Sequence, residues 1–456
     1  MTHSTIAPKR NRLTLWIFIA LIAGIGLGFL LNTTWIQPEN QVITTAELHL
    51  APGRVPHTLN GELDTAFQKV WTENKAAAIK ARDHKLEPFS LMADIFLRLV
   101  KMIVAPLVFS TLVVGVAKLG DINSVGRIGG KTLLWFFSAS LLSLALGMLL
   151  VNLFQPGAHM HLPLPDAHTE LGLQKAAFSL KNFLHHIFPV SIVESMAQNE
   201  ILQIVVFALL FGTATAAIGE KGQVIIHFLD AVADVILKIT GYVMNLAPLA
   251  VFGAMTAVIA KQGPGILKTY SLFIGEFYLG LGSLWLLLIL AAFFFIGRRV
   301  FTLVRRMREP ALLAFSTSSS EAAFPKMMLE LERFGCGNRI VSFVLPLGYS
   351  FNLDGSMMYM TFASLFIAQS YGIHLPLATQ LSMLLVLMLT SKGIAGVPRA
   401  SLVVIAGTLG TFNIPEAGLA LLLGIDPLLD MGRSATNVIG NSIATAVVSK
   451  WEGALE

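Results

Sequence analysis

GYSFNLDGSMMY, residues 348–359, sets an asparagine, an aspartate and two glycines in the middle of a segment that is otherwise apolar from 338 to 371. In a soluble protein such a break reads as a loop. In a bilayer it reads as a site, because hydrocarbon tolerates interrupted backbone and an ionisable side chain only where they line a protein cavity. Composition decides between the two. Of 456 residues, 55% are hydrophobic and 13% charged, with a mean hydropathy of +0.71, whereas a soluble domain carries about 25% charge. The chain is read as a polytopic membrane protein.

Outward from this break, stretches of about 20 residues or more, long enough to cross a bilayer, occupy 13–33, 89–118, 131–154, 199–219, 232–260, 270–297, 338–371 and 415–449. The expected fold class is an all-α membrane protein with eight transmembrane helices. Lys9, Arg10 and Arg12, then Lys118, Arg127 and Lys131, then Arg298, Arg299, Arg305, Arg306 and Arg308 fall on one side of that topology. The rule that basic loops stay inside predicts two cytoplasmic termini in a cell inner (plasma) membrane. The first span lacks a small-x-small cleavage site and is expected to stay in the membrane. Residues 34–88 are the one long hydrophilic stretch, expected to be an extracytoplasmic loop, partly helical around 63–82. The organisation expected is therefore 1–33 N-terminus and first span, 34–88 loop, 89–308 scaffold with parts of a transport unit, and 309–456 the core of that unit. Cys336 is alone and excludes an intrachain disulfide. No basic stripe interleaved with aromatics points to nucleic acid, and His159, His161 and His168 lack metal-ligand spacing.

Two further segments resemble 348–359 in being broken: FSTSSSEAAFP at 315–325 and TSKGIAGVPRAS at 390–401, each between apolar arms. Arm, break, arm and long span recur as a unit over 309–371 and 378–449. Paired interrupted segments are the sequence pointer to an inverted-repeat transporter that binds its cargo at mid-membrane on loose backbone and half-helix ends. A serine run such as Ser318–Ser320 is alternatively a helix-packing surface. Asp354 inside a span is by default an ion-site residue; with the amide oxygen of Asn352 and free carbonyls it suits a hard cation. A fourth stretch, DMGRSATNVIGN at 430–441, completes the set. Asp426, Asp430, Arg433, Asn437 and Asn441 follow at intervals of four, three, four and four, one polar stripe on a helix. Its plainest reading is an ion pair between Asp430 and Arg433, one turn apart.

SSSE, NLDGS, AGVP and DMGRSATN, in this order and at these separations, resemble the glutamate transporter family of dicarboxylate/amino acid:cation symporters, over nearly all of the chain. The resemblance extends to bacterial proton/glutamate symporters. It implies a homotrimer that works as an elevator: early spans form a scaffold, and two re-entrant helical hairpins with the last two long spans form a moving transport domain. Arg433 offers a fixed fork for a carboxylate and Asp430 a carboxylate for an ammonium group, so together they suit an acidic amino acid, L-glutamate or L-aspartate. By the resemblance, Arg433 holds the side-chain carboxylate, Asp430 the amino group, and Ser434 and Asn437 the main carboxylate. Ser319 and Ser320 on one hairpin tip and Val397 on the other close the enclosure, Ser356 lines the side-chain end, and Asp426 orients Arg433. Relatives carrying plain C4-dicarboxylates lack the aspartate, and those carrying neutral amino acids lack the arginine.

The coupling ion is left between H+ and Na+. The first sodium site of the family matches Gly348, Asn352, Asn437 and Asn441, but has a carboxylate where this chain has Asn441. The third matches Asn352, Asp354 and three positions of the third span, of which Phe136 and Ala139 have lost their oxygen and Ser140 keeps it. Asp354 and Asn352 are the metal ligands if Na+ is used. The second site rests on backbone around Ser350, Leu353, Ser391 and Ile394. Fewer sodium ligands point to protons, and Glu321 is the carrier expected, unless it pairs with Lys392 or Arg399 across the tips. The acidic proton carrier of animal relatives is Met360 here. No cofactor is expected. A Ser–Lys protease built on Ser318–Ser320 and Lys392 leaves the stripe unexplained, so the chain is not read as an enzyme. A channel fits poorly with opposite charges one turn apart.

Overall fold

The computed structural model describes residues 12–50, 54–56, 65–119, 122–159, 187–391, 400–423 and 425–456, and within them the secondary structure is helical, with one isolated bridge between Cys336 and Leu455. The chain begins with α1 (Arg12–Thr34) and α2 (Gln37–Leu50), followed by α3 (Thr65–Leu119) and α4 (Ile122–Phe154). Next come α5 (Ile192–Gln198), α6 (Ile201–Ala217), α7 (Gln223–Met244), α8 (Ala247–Thr269) and α9 (Ser271–Ile296). The remainder is α10 (Arg299–Arg306), α11 (Arg308–Thr317), α12 (Phe324–Phe334), α13 (Asn338–Phe351), α14 (Asp354–Ser370), α15 (Leu377–Thr390), α16 (Ala400–Thr411) and α17 (Asp426–Trp451). Among the described residues four helices are long and apolar enough to cross a membrane: α1, α3, α4 and α9. A fifth candidate is the pair α7 and α8, bent by 51°.

The sequence-based spans differ from these helices where local chemistry intervenes. The expected span 232–260 is broken at Asn245–Leu246, because Pro248 has no N–H to give to the carbonyl of Met244. The expected span 199–219 is the 17-residue α6, short for a bilayer. The loop expected at 34–88 is mostly helix. Its Ala- and Lys-rich half joins the second span in α3, 55 residues or roughly 80 Å long, so much of it lies beyond any hydrocarbon layer. There α2 packs on α3 through His49 stacked on Trp71 at 4.2 Å and the pairs Lys75–Glu47 at 2.9 Å and Lys85–Glu39 at 2.8 Å.

The interrupted segments are interrupted in space. α11 stops at Ser318, which takes a left-handed φ of 50°; Ser319 and Ser320 follow, then a single turn over 321–323 leads into α12. α13 and α14 are separated by Asn352 and Leu353, whose φ/ψ of −128°/67° and −100°/65° are not helical. α15 and α16 flank residues 392–399, outside the described set. α17 is buried along most of its length and packs on α9, α11, α13 and α14, so its stripe faces the breaks at Ser318–Ser320 and Asn352–Leu353.

Candidate functional site

The stripe begins at the N-terminal end of α17, where a carboxylate is favoured by the helix dipole. Arg433 is 2% exposed, and its Nη2 donates to Asp430 Oδ1 at 2.9 Å and to Asp426 Oδ1 at 3.1 Å. The ion pair that spacing allowed is therefore formed, and doubled. The Tyr359 hydroxyl donates to Asp426 Oδ1 at 3.2 Å while its ring lies 4.0 Å from the guanidinium carbon, a desolvated cation–π contact. Asp426 is as buried as Arg433, whereas the Asp430 side chain is 37% exposed. Arg433 Nε and Nη1 are buried with no hydrogen-bond acceptor among the described residues. Leaving such donors open is costly, and it gives the site capacity for an incoming anion. Ser434 is buried beside them.

Two turns further on, the same face changes character. Asn437 Oδ1 accepts from Gly355 N at 2.9 Å and Ser356 N at 3.4 Å, and its Nδ2 donates to Ser356 Oγ at 3.3 Å. It satisfies the amides that start α14, as a capping side chain does, from another helix. Asn352 Nδ2 donates to Asp354 Oδ2 at 3.0 Å and to Asn441 Oδ1 at 3.2 Å, and Ser143 Oγ donates to Asp354 Oδ1 at 3.4 Å. Ser140 Oγ donates to the Phe351 carbonyl at 3.4 Å. Asp354 and Asn352 are fully buried, and Asn352 Oδ1, Asn441 Nδ2 and Ser350 Oγ have no partner among the described residues. Gly348 and Gly440 make this closeness possible: a Cβ on Gly348 would run into Asn441 Oδ1, and one on Gly440 into Asp354 Oδ2. These oxygens from α4, α13, α14 and α17 form the set that would hold a hard cation. Phe136 and Ala139 are buried and add none.

The break at Ser318–Ser320 lies against the start of α17, with Ser318 Oγ 3.5 Å from the Pro427 carbonyl. Ser319 Oγ accepts from Ala322 N at 3.4 Å, and the Ser320 carbonyl accepts from the Tyr349 hydroxyl at 2.9 Å. Glu321 is half-buried, and among the described residues the cation acting on it is Lys101 of α3. Val397, Lys392, Ile394 and Arg399 lie outside the described residues, so the second tip, its pairing with Glu321 and the Ser–Lys dyad are not placed. His161 and His168 also lie outside them. Ser391 Oγ donates to the Met388 carbonyl at 3.0 Å, and Met360 is buried.

The sequence reading missed Tyr359, Ser143 and Trp285. Ser143 stands one turn from Ser140 and was available to anyone asking which oxygens share that face. Tyr359 carries no charge and signals nothing alone, yet it sets the Arg433 plane. Trp285 of α9 reaches the stripe's flank, its Nε1 donating to Thr436 Oγ1 at 2.8 Å.

Residues 13–451 match the sodium:dicarboxylate symporter family. A proton/sodium-glutamate symport protein of Geobacillus stearothermophilus is 42% identical over 370 residues, 79% of this chain and 87% of that protein. A C4-dicarboxylate transport protein of Rhizobium etli is 42% identical over 371 residues, 80% of this chain and 84% of that protein. One from Rhizobium leguminosarum is 41% identical over the same length, 80% and 83%.

Proposed function

The chain belongs to the sodium:dicarboxylate symporter family, and from that premise we propose that it imports acidic amino acids, L-glutamate or L-aspartate, together with a cation. The observation that carries the reading is Arg433, buried between Asp426 and Asp430 with Nε and Nη1 open, beside an aspartate that is part-exposed. A substrate carboxylate would fill the open guanidinium donors, and the substrate ammonium would take Asp430. Asp426 and Tyr359, both engaged behind the arginine, keep it aimed while Asp430 changes partner.

Charge explains why a cation must accompany the substrate. With all three groups ionised, Asp426, Asp430 and Arg433 sum to −1 − 1 + 1 = −1, and an acidic amino acid brings another −1. Asp354, buried close by, adds to the anionic field. Placing a second negative charge in a desolvated site is unfavourable unless a positive one enters with it. We assign that role to H+, carried by Glu321 at the hairpin tip, because Asn441 withholds a negative charge, and Phe136 and Ala139 side-chain oxygens, from a sodium site. A second reading, Na+ coupling, is favoured by one observation: Asp354, Asn352, Ser140 and Ser143 still gather oxygens in one buried cluster, and Asn352 Oδ1 has no partner. C4-dicarboxylate carriage, the activity named for the Rhizobium relatives, would leave Asp430 without an ammonium to face.

The architecture proposed with this function is eight spans and two re-entrant hairpins, α11–α12 and α15–α16, in inverted repeats. They would work as an elevator within a homotrimer in the inner membrane, with both termini cytoplasmic. Uptake of labelled glutamate, aspartate and succinate into proteoliposomes, with sodium and proton gradients imposed separately, tests it. A pH gradient, inside alkaline, should drive concentrative glutamate uptake without sodium, and Glu321→Gln should remove that uptake while leaving exchange partly intact. Strict sodium dependence would return the coupling to the Asp354 cluster, and preference for succinate would overturn the substrate.

A further inference from the structure

The stretch RRVFTLVRRMR, 298–308, divides its arginines by whether they hold a partner. Val300, Leu303 and Met307 turn inward and are fully buried. Two arginines hold partners within the protein. Arg299 lies over the Phe334 ring at 5.1 Å and donates to its carbonyl at 3.1 Å, and Arg306 Nη1 pairs with Glu330 Oε2 at 3.3 Å. The other three, Arg298, Arg305 and Arg308, are exposed, with no ion pair or hydrogen bond from their side chains among the described residues. Exposed with them are Phe294, at 79%, and Phe301, at 60%. These five recur at steps of four, three, four and three, with the chain turning at Gly297 (φ 58°) between the last turn of α9 and α10.

Position gives this face its meaning. α9 is a 26-residue apolar helix, long enough to span, and 298–308 begin where its apolar length ends. An amphipathic helix at that level, with aromatic rings on the outer face and arginines beside them, meets the boundary between acyl chains and headgroups. Long basic side chains there extend toward phosphate while their stems cover apolar surface. We propose that α10 is an interfacial helix whose Arg298, Arg305 and Arg308 bind the phosphate groups of anionic phospholipids in the membrane, with Phe294 and Phe301 seated in the acyl boundary. α10 runs directly into α11, the arm that carries Ser319, Ser320 and Glu321 at its far end.

The test uses the full chain in detergent micelles, with phosphatidylglycerol and phosphatidylcholine offered in equal amounts and retained lipid read by native mass spectrometry. The unmodified protein should retain phosphatidylglycerol preferentially. Arg298→Gln, Arg305→Gln and Arg308→Gln together should lower that retention, by roughly fivefold per arginine, whereas Lys69→Gln with Lys80→Gln on the polar half of α3 should not. Thermal unfolding of the triple variant should match the unmodified protein, since none of the three arginines has a partner to lose; if it does not unfold alike, the single variants, each expected to lower retention in part, carry the test. Equal retention of the two lipids, equal retention by the triple variant, or displacement by millimolar inorganic phosphate as readily as by lipid would overturn the proposal, the last by revealing a free-anion site.

Discussion

Asp430 and Arg433 in the first turns of α17, and Asn437 and Asn441 in the next ones, share one face of one helix, yet their hydrogen-bonding capacity is spent differently. The charged half keeps three features of a receiving site: a part-exposed carboxylate, a buried guanidinium, and donors of that guanidinium without acceptors. The amide half is spent mostly on its neighbours, Asn437 on the first amides of α14 and Asn441 on Asn352. A stripe that looks uniform in sequence thus keeps open hydrogen-bonding capacity at one end and is a joint at the other. The joint is what lets α14 begin in the buried interior with its N-terminal N–H groups answered. It also links α17 to α14 once more, through Asn437 Nδ2 donating to Ser356 Oγ.

The largest effect that would sharpen this contrast is expected from Arg433→Cys. Removing one partner of a desolvated charge set costs about 2–5 kcal/mol, a roughly thirtyfold to several-thousandfold loss of acidic substrate affinity. Substrate-induced shifts in thermal unfolding should vanish for glutamate and aspartate. Unchanged glutamate affinity in this variant would break the comparison at its root. Asp430→Ser comes next. It should weaken amino-acid uptake by about 2 kcal/mol while sparing a dicarboxylate without an ammonium; equal losses for glutamate and succinate would make Asp430 part of the joint, not the receiver.

How much of this was legible in the sequence follows from what each residue announces. Asp354, Asp430 and Arg433 are expensive in an apolar segment, so their presence alone marks a site. The breaks at Ser318–Ser320 and Asn352–Leu353 were legible because glycine and small polar residues stand out against apolar arms. What stayed hidden was relational. Tyr359 is one aromatic among many until its ring is found over Arg433. Asn437 reads as a ligand in the sequence, and only the structure adds that its oxygen accepts from the Gly355 and Ser356 amides. The continuity of α3 through Pro88, and the bend between α7 and α8 before Pro248, show that apolar length alone does not fix where a helix ends. Pro88 loses one bond in a helix held by packing on both sides, whereas Pro248 coincides with a helix end.

The amide half yields a smaller expected effect. Gly440→Ala places a methyl against Asp354 Oδ2, and Gly348→Ala one against Asn441 Oδ1, so each should destabilise by about 1–3 kcal/mol and blunt the cation dependence of uptake. Gly282→Ala, where a Cβ meets nothing within 4 Å, is the control and should be neutral. If Gly440→Ala left both unfolding temperature and cation dependence unchanged, the cluster would be looser than its geometry implies.

The smallest effect lies at the far end of α17, where the helix is tied to α4. The Glu452 carboxylate, 3% exposed, accepts from Arg127 at 3.0 Å and from Lys131 at 2.6 Å, just past Trp451, which stacks edge-on with Trp135 and Phe295. Burial pushes its pKa up, but the hydrogen bonds and charges of Arg127 and Lys131 outweigh burial and hold it below the ordinary carboxylate range. A carboxyl depressed in the folded state binds its proton more readily when unfolded. Its contribution is therefore present in full above the unfolded pKa, about 4.3, and fades as pH falls through the folded value. Glu452→Gln keeps the shape and removes the charge, which should cost roughly 1–2 kcal/mol at pH 7 and nothing once pH lies well below the folded value. Unfolding temperatures of the two proteins measured from pH 7 downward should converge below about pH 4. Parallel curves across that range would mean that Arg127 and Lys131, which are partly exposed, are held by water as well as by Glu452, and that the amide half of α17 is fixed by its packing alone.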